Sequence, residues 1–210
     1  MPRGNRSDVL LGEYSTLDDL PNNAVIGTSS VRRAAFAKSH RPDLVIKLLR
    51  GNVETRIQKL EDGHFDAIIL AKAGLDRLKI RGGNIIPTEL MPPAATQGVI
   101  AIQSTTNKNN EFEKELNNYL LTINDKKTYF ETLAERSLLK TLDGSCRSPI
   151  SASAHVIEND HLKLYGAIAR PDGTKVVKSE ITGLKKDAAL LGKNLGMEII
   201  SKTNGEVIYK

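Results

Sequence analysis

The sequence predicts an α/β unit followed by a smaller α+β unit in which helices pack on an antiparallel sheet. In the first half of the chain, short apolar runs and helical patterns alternate three times. Such alternation favours a parallel or mixed sheet covered by helices on both faces. After about residue 142 the apolar spacing changes to the strand period of two, which indicates a separate sheet.

The first unit consists of three strand and helix pairs. Pro42 ends the first predicted helix, and Asp62 with Gly63 closes the second. The predicted strands cover residues 23–27, 44–49 and 66–71, and the predicted helices cover residues 30–38, 53–60 and 73–78.

A proline-rich loop at residues 87–93 interrupts this pattern, and we expect the chain to cross between domains there. An apolar strand is predicted next, at residues 98–102, and Gln97-Gly98 in front of it suggests a close backbone approach or a hinge. The remaining elements are two amphipathic helices at residues 111–122 and 127–142, strands at residues 150–156, 162–169 and 175–182 with a tight turn at residues 171–173, and a final helix at residues 185–195.

Composition excludes several classes of protein. No run approaches the roughly 18 apolar residues that cross a membrane, and the first residues lack the apolar core of a signal peptide. Thirty Lys and Arg against 25 Asp and Glu give a net charge of +5, but only 4% of residues are aromatic, which disfavours a nucleic-acid binder. A single cysteine fits a reducing compartment, so we expect a cytoplasmic protein.

Arginines follow the ends of all three strands of the first unit. Carboxyl ends of strands in an open α/β sheet form the ligand crevice, so these guanidinium groups are expected to converge there. Hydroxyl groups at a helix N-terminus favour anions in the same place. The alternative is that each arginine is a surface charge or caps a helix. The residues concerned are Arg32, Arg33, Arg50, Arg56 and Arg77, with Thr28, Ser29 and Ser30.

Cys146 is predicted to lie in a loop between a helix and a strand. Gly144 and Pro149 restrict this loop, and Arg147 can lower the pKa of the neighbouring thiol. The alternative is an ordinary small buried residue. The four histidines and the cysteine show no metal-ligand spacing, and no phosphate-loop or dinucleotide-binding fingerprint occurs.

Six blocks of this sequence resemble porphobilinogen deaminases in order and spacing. They include VIGTSSVRR at residues 25–33, LRGNVETR at residues 49–56 and GSC at residues 144–146. The others are residues 66–75, residues 97–98 and AER at residues 134–136. The resemblance runs essentially from Pro2 to the C-terminal helix.

The resemblance implies a domain organisation. Residues 1–93 would form the second lobe, similar to a lobe of type II periplasmic binding proteins, with a mixed sheet. Residues 94–121 would be a return segment of the first lobe, and residues 122–210 a C-terminal domain that carries the cofactor. Family members begin roughly a hundred residues earlier, about one ordinary domain. The chain is therefore expected to be truncated, inactive alone and prone to self-association, whereas the intact protein is expected to be a monomer.

The resemblance also implies a reaction. Porphobilinogen units lose ammonia and join head to tail to give hydroxymethylbilane, on a dipyrromethane cofactor bound to Cys146 by a thioether. The polycarboxylated pyrroles explain the arginines, since each brings two carboxylates. The family's catalytic aspartate lies in the N-terminal part, so no catalytic residue is predicted here. Cofactor contacts are assigned to Thr28, Ser29, Ser30, Arg32, Arg33, Arg50 and Arg56, and substrate contacts to Arg32, Arg56, Arg77 and Gln97.

Two other functions remain open on the sequence alone. An anion-binding lobe similar to a solute-binding protein would keep the arginine cluster but give Cys146 no task. A nucleic-acid binder would use the net charge and show a steep salt dependence of its affinity.

Overall fold

The computed structural model describes residues 1–105, 110–145 and 147–203. It contains a five-stranded mixed sheet with helices and a separate three-stranded antiparallel sheet with helices. The predicted fold class is therefore confirmed. In these described ranges, no helix is long and apolar enough to cross a membrane.

The mixed sheet has the strand order β3-β2-β4-β1-β5. Strands β2, β3 and β4 are parallel, whereas β1 runs antiparallel to both β4 and β5. Asp8, the first residue of β1, therefore pairs with Ala71, the last residue of β4. The strands are β1 (Asp8–Gly12), β2 (Val25–Gly27), β3 (Val45–Lys47), β4 (Ala67–Ala71) and β5 (Asn84–Ile85).

Side chains alternate between the two faces of this sheet, and each face has its own core. On β1, Leu10 joins a cluster with Phe36, while Val9 joins a cluster with Ile68 and Leu75 on the other face. Both faces are thus covered, as the alternation of strands and helices predicts. The connecting helices are α1 (Val31–His40), α2 (Val53–Glu61) and α3 (Lys72–Arg77).

The C-terminal unit is built on three antiparallel strands in the order β6-β7-β8. Leu138, Leu164 and Leu195 form part of the core between this sheet and its helices. The turn between β7 and β8 closes with a hydrogen bond from Gly173 N to Arg170 O, 2.9 Å. The elements of this unit are α5 (Lys126–Thr141), β6 (Ile150–Val156), β7 (His161–Ala169), β8 (Val176–Leu184), a 3₁₀ turn (Lys185–Asp187) and α6 (Ala188–Lys202), and α4 (Glu111–Thr122) precedes them in the chain.

The two units share buried surface. Ala167 and Ala169 of β7 belong to the same core cluster as Phe36 of α1. At Gly173, where φ is +81°, a Cβ atom would lie 2.6 Å from Ser39 N, so the β7–β8 turn rests directly on the end of α1. The C-terminal sheet is therefore held against the first unit on the face opposite α5 and α6.

One predicted element is wrong and two are missing from the prediction. Residues 98–102 form no strand, and Ile100 and Ile102 are about half exposed. The backbone of Gly98 instead contacts the N-terminal segment, since its carbonyl oxygen accepts a hydrogen bond from Gly4 N at 3.0 Å. Strands β1 and β5 were not predicted, although Val9, Leu10 and Leu11 form an apolar run in β1. The last helix continues to Lys202 rather than ending near residue 195.

Candidate anion-binding site

The arginines and hydroxyl groups predicted for the first unit follow strands whose ends lie at one edge of the mixed sheet. Because β2, β3 and β4 are parallel, their carboxyl ends meet at the same edge, and the loops after them carry the arginines and hydroxyl groups. Asp8 reaches this edge from the other direction, because β1 is antiparallel and begins opposite Ala71. The strand order therefore brings one carboxylate to a region otherwise rich in cations.

Arg32 and Arg33 are buried and share that carboxylate. Their exposed fractions are 4% and 9%, and Asp8 is fully buried. Arg32 Nη2 donates to Asp8 Oδ2 at 2.6 Å, while Arg33 Nε and Nη2 donate to Asp8 Oδ1 at 3.0 and 2.8 Å. Backbone carbonyls complete the set: Pro92 O accepts from Arg32 Nη1 and Ile69 O from Arg33 Nη1. These two arginines are therefore neither surface charges nor helix caps.

This cluster of Asp8, Arg32 and Arg33 carries one positive charge more than it can neutralise internally. Burial lowers the pKa of Arg32 and the nearby Arg33 charge lowers it further, while Asp8 opposes both effects. Arg32 uses two of its five N–H groups in the hydrogen bonds described above, and Arg33 uses three. In particular, Arg32 Nε is buried without a partner among the described residues. A buried donor of this kind is costly unless an acceptor reaches it, which favours an anionic guest.

The three predicted hydroxyl groups have unequal capacity for an anion. Thr28 Oγ1 accepts from Ser30 N at 3.1 Å, and Ser30 Oγ accepts from Arg33 N at 3.4 Å as the N-cap of α1. Neither hydroxyl donates to another of the residues that the structure describes, so both hydrogens are available to a guest. Ser29 Oγ donates to Leu49 O, so only its lone pairs remain. Thr28 and Ser30 are thus better suited than Ser29 to an anion at this helix N-terminus.

The other three arginines are more exposed. Arg50 lies in the exposed loop after β3, and Arg56 Nε donates to Gly51 O at 2.8 Å, which holds its side chain against that same loop. Arg77, at the end of α3, donates from Nη2 to Gly98 O at 2.9 Å. Each has N–H groups without a partner among the described residues, and the convergence of the three side chains on one guest stays a prediction.

Gln97 connects this cluster to the N-terminal segment. Its Nε2 donates to Asp8 Oδ1 at 3.0 Å and to Arg6 O at 2.7 Å. The next residue, Gly98, has φ +85°, and a Cβ atom there would lie 2.6 Å from Gly4 O. The predicted close backbone approach is confirmed, and it places Gln97 within reach of Asp8.

A second buried ion cluster, of Arg3, Arg6, Glu131 and Glu135, lies beside the first. Arg3 binds Glu135 through two hydrogen bonds of 2.7 and 3.0 Å, and Arg6 Nη2 donates to Glu131 Oε2 at 2.7 Å. Glu135 also accepts from Thr96 N and Ala154 N, which ties α5 to the 94–98 segment and to β6. Two arginines face two glutamates here, so the charges balance.

Cys146 lies outside the described residues. Its neighbours Ser145 and Arg147 are exposed. Ser145 Oγ accepts from Arg147 N at 3.2 Å, and Ser145 N donates to Ser148 Oγ at 3.3 Å. In the ranges that the structure covers, no group of three or more His, Cys, Asp or Glu residues could hold a metal ion.

Sequence reasoning missed Asp8 and the glutamates of the second cluster. One signal was present for Asp8: it opens the apolar run Val-Leu-Leu and lies two residues after Arg6. A carboxylate at the first position of a buried strand needs cationic partners. For Glu131 and Glu135 the helical period alone places them on the face shared with Leu138, which is a weaker signal.

Comparison with known proteins identifies relatives over almost the whole chain. Residues 1–114 match a family model described as porphobilinogen deaminase, dipyromethane cofactor binding domain, and residues 129–201 match one described as porphobilinogen deaminase, C-terminal domain. A porphobilinogen deaminase of Brevibacillus brevis is 40% identical over 204 residues, which are 96% of this chain and 64% of that protein. The chain therefore spans less than two thirds of the length of this relative.

Proposed function

This chain belongs to the porphobilinogen deaminase family, and we propose that the protein it forms part of is a hydroxymethylbilane synthase. Such an enzyme is a transferase of porphyrin and haem biosynthesis that joins four porphobilinogen units head to tail and releases ammonia. The observation that carries the proposal is the excess-positive cluster of Asp8, Arg32 and Arg33, with unused N–H groups at the edge of the sheet. The family match disfavours a non-catalytic anion-binding lobe.

The residues at this edge fit a dipyrromethane cofactor with acidic side chains. Guanidinium groups bind carboxylates through paired hydrogen bonds, and the orphaned Arg32 Nε needs such an acceptor. We assign cofactor binding to Arg32, Arg33, Arg50 and Arg56 with the hydroxyls of Thr28, Ser29 and Ser30, and covalent attachment to Cys146. When bound, the cofactor supplies the pyrrole to which the growing chain is joined.

In this proposal, the residues of this chain bind and orient the cofactor and the substrate. Arg32 and Arg56 contact both cofactor and substrate carboxylates, and Arg77 and Gln97 contact the substrate. A thiolate at Cys146 is a soft nucleophile that forms a stable carbon–sulfur bond. No catalytic acid or base is assigned to this chain, because no acidic residue in it matches the family's catalytic aspartate.

We further propose three structural segments: a cofactor-binding lobe at residues 1–93, a return segment at residues 94–121 and an attachment domain at residues 122–210. The half-exposed Ile100 and Ile102 support a further lobe that packs on the return segment. The chain by itself is inactive in this proposal and associates through that exposed apolar surface, whereas the whole protein is a monomer. We place the enzyme in the cytoplasm, without nucleic-acid partners.

A chimaera tests the proposal. The residues of the Brevibacillus relative that this chain does not match would be fused to it, and porphobilinogen consumption and intact mass would be measured. We expect consumption, together with a mass increase that corresponds to two linked pyrroles. The change Cys146→Ser should abolish both, while Ser145→Ala, a matched change one residue away, should retain them. A folded chimaera that neither consumes porphobilinogen nor gains mass contradicts the assignment.

A further inference from the structure

We infer that Asp8 is a positioning residue for anion binding: its carboxylate fixes the guanidinium groups of Arg32 and Arg33 so that their unused N–H groups point at one bound polycarboxylate. The evidence is the set of three hydrogen bonds, of 2.6, 3.0 and 2.8 Å, that the two Asp8 oxygens accept from the arginines. The inference rests on the proposed function only for the identity of the anion. The role of Asp8 itself follows from the geometry.

Two like charges held this close need a reason to stay together. Arg32 and Arg33 are adjacent on α1, both are buried, and the charge of Arg33 disfavours that of Arg32. A carboxylate between them offsets that repulsion, since a buried charge is tolerated only when it is paired and hydrogen-bonded. Because Asp8 supplies one negative charge against two positive ones, the arginines keep a net attraction for a further anion.

The Asp8 carboxylate stays bonded to the two arginines when an anion binds, and the anion does not displace it. Its backbone lies between two strands: it pairs with Ala71 of β4, and its carbonyl accepts from Ile86 N at 2.9 Å. Its side chain is fully buried and also accepts from Gln97 Nε2. A fully buried carboxylate cannot move out into solvent. A bound anion must therefore use the arginine N–H groups that Asp8 does not occupy.

Positioning and simple charge neutralisation predict opposite results for Asp8→Asn. The change keeps the size of the side chain and one acceptor oxygen, but it raises the net charge of the cluster. If charge alone governed binding, the variant would bind anions more tightly. If orientation governs binding, the variant binds anions more weakly, because the carboxylate that bridges the two guanidinium groups is lost.

Calorimetric titration of the 210-residue chain with two probes tests the inference. Citrate is a polycarboxylate without a pyrrole, and porphobilinogen is the proposed substrate. We expect Asp8→Asn to weaken binding of both about tenfold, the effect of losing one or two charge-assisted hydrogen bonds. Asp8→Glu, which keeps the charge but displaces the carboxylate, should weaken binding too, and it decides the question if Asp8→Asn does not fold.

Asp43→Asn is the matched control. Asp43 forms a similar two-pronged pair with Arg41, at 2.8 Å from both Nε and Nη2, outside the proposed site. This variant should bind both probes like the unmodified chain. Equal or tighter binding by Asp8→Asn, or full binding by Asp8→Glu, overturns the inference, as does an unmodified chain that binds neither probe. Binding of citrate without porphobilinogen would leave Asp8 in its role and show that the 210-residue chain alone does not hold the substrate, and the chimaera then decides the proposed function.

Discussion

The two buried ion clusters of this protein both consist of arginines and carboxylates, but in different ratios. Arg3 and Arg6 face Glu131 and Glu135, and the charges cancel. Arg32 and Arg33 face Asp8 alone, and one positive charge is left over. The balanced cluster joins α5 and β6 to the N-terminal segment, whereas the unbalanced cluster lies at the edge formed by the carboxyl ends of the parallel strands, where we propose that the anion binds. Under the proposed function, the ratio of acidic to basic side chains, more than their burial, distinguishes the structural cluster from the proposed anion site.

The largest effect is expected in the balanced cluster. Arg3→Met should lower the free energy of unfolding by about 3–5 kcal/mol, because it leaves two buried glutamates with one arginine. Urea denaturation followed by circular dichroism measures this. Lys114→Met breaks an exposed pair with Glu111 and should change stability by less than about 0.5 kcal/mol. Equal losses in the two variants would contradict the structural role of the balanced cluster.

The same substitution in the unbalanced cluster should separate stability from binding. Arg33→Met leaves Asp8 hydrogen-bonded to Arg32 and Gln97. The cluster becomes neutral, and no buried charge is left without a partner. We expect a stability loss of only about 1–2 kcal/mol. Anion binding, followed by citrate titration, should nevertheless disappear. A stability loss as large as that of Arg3→Met would remove the distinction between the clusters.

Thr96 lies between the clusters in a strained conformation. Its φ is +62°, which β-branched residues rarely adopt, and its N–H donates to Glu135 Oε2 at 2.7 Å. Thr96→Gly relieves the strain and should raise the free energy of unfolding by about 1 kcal/mol in urea denaturation. Gly98→Ala is the opposite change nearby, where a Cβ would lie 2.6 Å from Gly4 O, and it should destabilise. A stabilising Gly98→Ala would refute this reading of the backbone.

The smallest effect concerns pH at the balanced cluster. Partial desolvation of the imidazole and the neighbouring Arg6 charge lower the pKa of His155 in the folded state, although the residue as a whole is exposed. The unfolded chain therefore binds the proton more readily, so this contribution to stability is complete above the unfolded pKa of about 6.5 and is lost as pH falls through the folded pKa. His155→Asn should reduce the loss of stability between neutral pH and about pH 5. Thermal unfolding of the unmodified chain and of His155→Asn across this pH range tests the prediction. Parallel dependences of stability on pH in the two proteins would contradict it.

The sequence predicts the fold better than it predicts the site's inner contacts. Alternating apolar runs are local features, and they predicted β2, β3 and β4 with the helices that follow them. The strand predicted at residues 98–102 failed because apolar residues alone do not supply a neighbouring strand. Asp8 was missed for a related reason. Its partners lie more than twenty residues away in α1, and only the antiparallel placement of β1 brings the carboxylate to them.

The arginine side chains themselves give the most direct test of the contrast between the clusters. The Nε–H resonances of Arg3, Arg6, Arg32 and Arg33 would be followed by nuclear magnetic resonance while porphobilinogen is added to the chain. The account predicts changes at Arg32 and Arg33, with Arg32 most affected because its Nε has no partner, and none at Arg3 or Arg6. Changes confined to Arg3 and Arg6, or no change at any of the four, would contradict it.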